Sequence, residues 1–207
     1  MGLQRTICEA KAYIDPYGTP AAYSEAQLRH LVSFATARGV RIMPEFDLPG
    51  HIAGPLCSVE PGLCVANKCA PDPSNAKWWA WLEQVVSELA DIFPERYFHG
   101  GADEFHAECW LENDALKSWA AGKNMSTAEE VINPHLIHLI FTLPSQSSPN
   151  PRLIVASQVL DYFHLRWQRV LLDQGRLPQF WDEFFWVYDA PSPTRTNLTI
   201  LPGTSAL

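Results

Sequence analysis

The chain has 207 residues, of which 47% are hydrophobic and 18% are charged, and its formal net charge is −8. This composition supports one sizeable apolar core and excludes a disordered protein. The negative charge argues against a nucleic-acid partner, and no run reaches the about 18 apolar residues that a membrane-spanning helix needs.

The first half of the chain alternates between predicted helices and strands. Ser24 can cap a helix whose apolar residues recur at helical spacing up to Gly39, where the helix is predicted to stop. A short buried strand is predicted next, from the stretch "VRIMPEF" that ends at Phe46. A loop rich in Gly, Pro and Cys follows over 47–74. The next helix is predicted after Asn75, and it leads into a second strand, "RYFHGG".

The second half continues the same alternation. A helix is predicted from "LDYFHLRWQRVLLDQG", a third strand from "LPQFWDEFFW" and a fourth from "LTIL". This order of elements is typical of a parallel α/β protein. No glycine fingerprint follows any strand, so a β/α barrel is favoured over a doubly wound sheet. A complete barrel needs about 250 residues, so we predict an incomplete (β/α)8 TIM barrel.

The segment 131–158 differs in composition from its surroundings. It contains four prolines, one charged residue, Arg152, and no Asp or Glu. The helical pattern before it would continue directly into "VLDYF" after it. We interpret 131–158 as an insertion within a single domain that spans 1–207, and two origins remain open. It is either a retained intron translated in frame or a hydrophobic loop broken by proline.

Two adjacent carboxylates follow the strand "RYFHGG". Neighbouring side chains of a regular strand point to opposite faces, so Asp103 and Glu104 can serve one pocket only where the strand ends. Gly100 and Gly101 relax the backbone just before that point. Two carboxyl groups in one pocket can divide the work, one as a general acid and the other as a stabiliser of positive charge.

Two further motifs supply candidate partners for these carboxylates. The stretch "PEFDLPGH" contains a Pro-Gly turn that is predicted to fold Asp47 and His51 against each other. The stretch "FWDEFF" places Trp181 at the end of the third predicted strand. Indole rings are apolar faces on which sugar rings stack, so an aromatic wall beside paired carboxylates indicates a carbohydrate ligand.

These motifs together resemble a known family. The stretches "PEFDLPGH", "YFHGGADEFHAECWLEN" and "FWDEFF" are similar to the catalytic domain of glycoside hydrolase family 20, the β-N-acetylhexosaminidases. Ala102 stands where the family usually has Gly, and Phe105 stands where it has an aliphatic residue. The resemblance covers roughly 10–130 and 159–190, and it implies strands 3 to 7 of the family's barrel. The family motif H-x-G-G-D-E…CW is matched by His99, which would support the site, and by Gly101, Asp103, Glu104, Cys109 and Trp110.

The resemblance implies hydrolysis of terminal non-reducing N-acetylhexosamines from β-linked glycans, by substrate-assisted retaining catalysis. Glu104 would protonate the leaving oxygen and then deprotonate the incoming water. Asp103 would hold the acetamide N–H and stabilise the oxazolinium-like intermediate. Asp47 and His51 would support Glu104, and Trp181 would form part of the box around the acetyl methyl. Neither a metal nor a cofactor is implied.

The cysteines add two further expectations. The resemblance implies that Cys109 pairs with a cysteine of the loop after "PEFDLPGH", and spacing leaves that partner open. The candidates are Cys57, Cys64 and Cys69. A metal site is a distant alternative to the carbohydrate site, and its ligands would be His99, Asp103, His106 and the cysteine loop.

The resemblance also implies a lysosomal, vacuolar or extracellular protein that forms a homodimer in its full-length form. The sequons at Asn124 and Asn197 agree with a secretory location, although the first 13 residues lack the apolar core of a signal peptide. The family's sugar-gripping Arg and its His-Trp-His run have no counterpart here. We therefore expect the chain expressed alone to be poorly soluble and inactive on a chromogenic N-acetylglucosaminide. The alternative function is a non-catalytic or degenerate carbohydrate-binding relative.

Overall fold

The computed structural model describes residues 23–123, 151–181 and 201–206. Two short 3-10 helices, Pro61–Leu63 and Ala107–Glu112, accompany the main elements. None of the helices in these described ranges is long and apolar enough to cross a membrane. In chain order the main elements are α1 (Glu25–Thr36), α2 (Ala53–Val59), α3 (Ala76–Ile92), β1 (Tyr97–His99), α4 (Asp114–Gly122), α5 (Pro151–Asp173), β2 (Leu177–Phe180) and β3 (Ser205–Ala206).

The sheet is parallel, with the strand order β1-β2-β3. Tyr97 of β1 lies opposite Leu177 of β2. A further segment lies along β1, because the Phe46 N–H donates to His99 O at 2.9 Å and the His99 N–H donates to Pro44 O at 2.9 Å. The sequence predicted a strand here, and the structure shows this hydrogen-bonded segment with a single parallel bridge instead.

The helix starts follow the capping residues that the sequence predicted. Ser24 Oγ accepts a hydrogen bond from the Gln27 N–H at 3.2 Å, and Gln27 Oε1 accepts one from the Ser24 N–H at 2.7 Å. These reciprocal bonds form a capping box at α1. Asn75 Oδ1 accepts from the Lys77 N–H at 2.9 Å and caps α3. Both of these helices are confirmed.

The core lies where α3 and α5 pack beside the sheet. Trp78 and Trp79 of α3 are fully buried and stand 6.3 Å and 5.1 Å, between ring centroids, from Phe163 of α5. Trp167 of α5 is also fully buried, and its indole N–H donates to Gly100 O at 3.1 Å. The apolar helix faces therefore cover the end of β1, from which the carboxylate loop departs.

Several predicted boundaries differ from the structure. The 47–74 loop contains α2 and a 3-10 helix, because "AGPLCSV" places its proline in the first helical turn, where proline is tolerated. The third strand ends at Phe180, and most of the "LTIL" strand lies outside the described residues. A strand is observed at Ser205–Ala206. The predicted insertion lies outside the described residues over 131–150, and its last part begins α5, so it stays a prediction.

Candidate active site

The backbone after β1 is left-handed at three positions. The strand ends at His99, and φ is +70° at Gly101, +80° at Ala102 and +52° at Glu104. Residues other than glycine seldom adopt this conformation. A Cβ on Gly101 would overlap the Asp47 carboxylate and lie 2.5 Å from Asp47 Cα. The chain therefore needs a glycine at this close approach, and the left-handed turn breaks the alternation of a strand before the two acids.

The structure brings together four of the predicted site residues. His51 Nε2 lies 3.5 Å from Glu104 Oε2, 3.8 Å from Asp103 Oδ2 and 3.8 Å from Asp47 Oδ2. The Glu104 side chain is 70% exposed, whereas those of Asp103 and Asp47 are 26% and 19% exposed. One histidine thus stands among three carboxylates, of which Glu104 is the most accessible to a ligand from solvent.

Asp47 is the carboxylate most perturbed by its surroundings. Burial raises the pKa of Asp47 to about 6, and the charge of Asp103 and a hydrogen bond between the two side chains act in the same direction. The Ala102 N–H, which donates to Asp47 Oδ1 at 3.0 Å, and the nearby His51 lower the pKa of Asp47. A carboxyl with a pKa of about 6 is protonated below that pH, where Asp47 adds no negative charge to the cluster.

His99 and Trp181 form a second group behind this cluster. His99 is 2% exposed, and its ring centroid lies 4.5 Å from that of Trp181 in an edge-on arrangement. Glu45 Oε1 lies 3.3 Å from His99 Nδ1. Trp181 is 38% exposed, and its backbone N–H donates to Gly101 O at 3.1 Å. The two groups therefore meet at Gly101, which contacts Asp47 on one side and Trp181 on the other.

Glu45 was missed by the sequence analysis, although it stands in the quoted "PEFDLPGH" stretch. Its approach to His99 depends on the pairing of the 44–46 segment with β1, because the parallel bridge joins these same two residues. The signal in the sequence was an acidic residue inside a predicted buried strand. Glu45 itself is 45% exposed, and the buried His99 is the member of the pair that needs a polar partner.

The structure resolves which cysteines pair. Cys109 is bonded to Cys69, and Cys57 is bonded to Cys64. These four cysteines are therefore not available as thiolate ligands. The cysteine loop cannot contribute to the metal site that was the alternative predicted from the sequence. Among the described residues, one group has ligand atoms close enough for a metal ion, all within 4.8 Å of one another. It consists of Asp47, His51 and Asp103, which differs from the set predicted from the sequence.

Comparison with known proteins decides the family. Residues 7–200 match glycosyl hydrolase family 20, catalytic domain. The chain belongs to this family. Its relatives include beta-hexosaminidase subunit A1 of Dictyostelium discoideum, which is 31% identical over 120 residues, covering 55% of this chain and 23% of the relative. The beta-hexosaminidase subunit beta of Mus musculus is 24% identical over 188 residues, covering 86% of this chain and 33% of the relative.

Solved structures show the same fold in family 20 proteins. A chitobiase from Flavobacterium johnsoniae has a TM-score of 0.59 at 21% identity, covering 84% of this chain and 24% of that structure. A beta-N-acetylhexosaminidase from Streptomyces coelicolor has a TM-score of 0.60 at 16% identity, covering 99% of this chain and 33% of that structure. The chain thus spans a third or less of these relatives.

Proposed function

We propose that this family 20 chain carries the acid and the polarising carboxylate of a β-N-acetylhexosaminidase, which removes terminal non-reducing N-acetylhexosamines from β-linked glycans. The observation that carries the proposal is the convergence of Asp103 and Glu104 on His51, at 3.8 Å and 3.5 Å. The names of the hexosaminidase relatives support the substrate class. The family membership supports the reaction type.

The proposed reaction uses the substrate's own acetamide. The acetamide carbonyl oxygen attacks the anomeric carbon while Glu104 gives its proton to the leaving oxygen, so that the glycosidic bond breaks and an oxazolinium ion forms. Asp103 accepts a hydrogen bond from the acetamide N–H and stabilises the positive charge. Water then attacks the anomeric carbon, the bond from that carbon to the acetamide oxygen breaks and restores the acetamide, and Glu104 takes a proton from the water. The exposure of Glu104 and the partial burial of Asp103 suit these two roles.

The neighbouring residues take supporting roles in this proposal. His51 lies within 4 Å of both Asp103 and Glu104, and it would keep Glu104 in place in both of its protonation states. Asp47 would fix the backbone before the acids through the Ala102 N–H. Trp181, which is 38% exposed, would provide the apolar wall of the sugar pocket.

We propose that the sheet and its helices form part of a (β/α)8 barrel, corresponding roughly to strands 3 to 7. The three parallel strands, the 44–48 segment beside them and the helices packed on them support this architecture. We also propose a location in the secretory pathway, because disulfides persist in oxidising compartments and two are found among the described residues. The homodimer of the full-length protein stays a prediction.

A second function is a carbohydrate-binding relative without catalysis. Ala102 favours it, because a methyl group stands at a φ of +80°, where the family resemblance expects glycine. The strain could displace Glu104 from its working position while it leaves the pocket able to bind a sugar.

Glu104→Gln and Asp103→Asn separate these functions. Binding of N-acetylglucosamine is followed by NMR, and turnover of a chromogenic N-acetylglucosaminide is measured at high protein concentration with long incubation. We expect Glu104→Gln to bind like the wild type and to lose about 100-fold or more of any turnover, since general acid catalysis contributes at least that factor. Asp103→Asn should weaken binding. Turnover that falls in Glu104→Gln while binding is kept would support the first function, and turnover insensitive to Glu104→Gln would refute it.

A further inference from the structure

A short hairpin lies between the loop that carries Asp47 and His51 and the loop that carries Asp103 and Glu104. Its backbone turns back on itself, because the Val65 N–H donates to Ala70 O at 3.1 Å and Cys64 forms an antiparallel bridge with Pro71. Lys68 occupies the turn with a φ of +59°. Val65 and Ala70 are buried, so the hairpin packs into the hydrophobic core. We call this segment the 64–71 hairpin.

One end of the 64–71 hairpin is tied to the His51 loop. Cys64 is bonded to Cys57, which lies in α2. This helix begins at Ala53, two residues after His51, so the disulfide joins the hairpin to the element that directly follows the histidine. Both cysteines are buried.

The other end is tied to the segment that follows Glu104. Cys69 is bonded to Cys109 in the 3-10 helix Ala107–Glu112. Asn67 adds a polar tie, since its Nδ2 donates to Cys109 O at 3.0 Å and to Glu112 Oε2 at 3.1 Å. The Cys69 N–H donates to Asn67 Oδ1 at 3.3 Å, which orients the amide for these two donations.

A third tie passes through aromatic rings. The indole N–H of Trp110 donates to Pro71 O at 3.0 Å, and Trp110 is fully buried. The ring of Phe105 meets that of Trp110 edge-on, with 4.7 Å between centroids. Phe105 follows Glu104 directly in the sequence, so the hairpin reaches the acid through two packed rings.

We propose that Asn67 is a positioning residue, which acts through the 64–71 hairpin to hold the Glu104 loop against the His51 loop. The left-handed Ala102 and Glu104 need surrounding contacts to maintain them. The amide of Asn67 supplies hydrogen bonds to this region in addition to the disulfide. The catalytic meaning of the position rests on the proposed function, whereas the positioning itself is measurable without turnover.

The test replaces the Asn67 amide by a carboxylate. Asn67→Asp removes the donor and places a negative charge against Glu112. Gln84→Glu is the matched control, because Gln84 Nε2 donates to Glu88 Oε1 at the same 3.1 Å on the exposed face of α3. The readout is hydrogen exchange of the Ala102 N–H, which is bonded to Asp47 Oδ1.

We expect Ala102 to exchange about tenfold faster in Asn67→Asp, given the usual contribution of a hydrogen bond to a charged group. The amides of α3 should keep their rates, and Gln84→Glu should leave Ala102 unchanged. Combining Asn67→Asp with Glu112→Gln restores the side-chain bond with donor and acceptor exchanged, and it should recover part of the protection. The proposal is wrong if the Ala102 N–H exchanges as slowly in Asn67→Asp as in the control. It is also wrong if the double variant recovers none of the protection of that N–H.

Turnover of the same variants distinguishes this proposal from the proposed function. If both hold, Asn67→Asp lowers kcat/KM, because the loop that Asn67 holds carries both Asp103 and Glu104. Faster exchange at Ala102 would support positioning at any level of turnover, whereas turnover insensitive to Glu104→Gln would count against the hexosaminidase activity alone. Unchanged exchange would overturn the role of Asn67 at any level of turnover.

Discussion

Substitution of Gly101 by alanine tests whether the close approach of the two loops is tight. Gly101 has a φ of +70°, and an added Cβ would overlap the Asp47 carboxylate and lie 2.5 Å from Asp47 Cα. Two penalties therefore combine, the left-handed backbone and the contact with Asp47. Backbone and carboxylate would have to separate, and the hydrogen bond from the Ala102 N–H to Asp47 Oδ1 would lengthen or break.

A matched glycine separates these two penalties. Gly39 has a φ of +72°, and an added Cβ there meets nothing within 4 Å. Gly39→Ala should therefore destabilise the protein by the backbone penalty alone, about 1 kcal/mol. Gly101→Ala should add the effect of overpacking, about 1–3 kcal/mol, for a total of about 2–4 kcal/mol. That total is a large fraction of the stability of an ordinary domain.

Urea denaturation of the wild type and both variants measures these differences. The two variants should have the same slope of free energy against urea, because neither changes the surface exposed on unfolding. Equal losses of free energy of unfolding in Gly101→Ala and Gly39→Ala would show that Asp47 does not press against the backbone at Gly101. The geometry of the candidate site would then be wrong at its centre.

Two further predictions concern Asp47 and Gln168. The folded pKa of Asp47, about 6, lies above its ordinary value of 3.8, so its contribution to stability is complete below 3.8 and is lost as the pH rises through 6. Asp47→Asn should remove this loss, so the difference in free energy of unfolding between the wild type and Asp47→Asn should change between pH 3.8 and pH 6. Urea denaturation of both proteins at several pH values measures this difference, and a difference that does not vary with pH would refute the reasoning. Gln168 is fully buried, and its Oε1 accepts from the Leu201 N–H at 2.9 Å and the Thr204 O–H at 3.0 Å. Gln168→Leu should lower the free energy of unfolding by about 1–3 kcal/mol and speed hydrogen exchange over 201–206, whereas normal exchange there would contradict the anchoring role.

The helices were the most predictable part of the fold. A cap and a one-sided apolar pattern are local signals, and they placed the starts of α1 and α3 correctly through Ser24 and Asn75. The family resemblance was equally accessible, because it depends on short stretches of sequence. It is confirmed by the match over residues 7–200.

The strands were less predictable because pairing is not local. The sequence could not show that the 44–46 segment makes a single bridge, since that depends on where the segment meets His99. The loop after it was also read as irregular, although seven of its residues form α2. Gly and Pro predict breaks in the chain, but they do not exclude a short helix that has its proline in the first turn.

At the site, the sequence predicted which residues meet but not how the backbone allows it. The Pro-Gly turn indicated the approach of Asp47 to His51, and their side chains lie 3.8 Å apart. The glycines before the acids indicated a distorted strand end. The left-handed conformation of Ala102 could not be predicted, because alanine seldom adopts it.

This conformation follows from the need to bring two sequential side chains to one histidine. Extended backbone would direct Asp103 and Glu104 apart, and the left-handed residues around them bend the chain instead. Such strain persists only where neighbouring contacts hold it, and the bond from the Ala102 N–H to Asp47 is one of these contacts. Asp47 therefore both lines the acidic cluster and maintains the backbone that forms it. Because asparagine keeps the accepting oxygen but cannot ionise, Asp47→Asn changes the charge alone, whereas Asp47→Ala should change both the charge and the conformation.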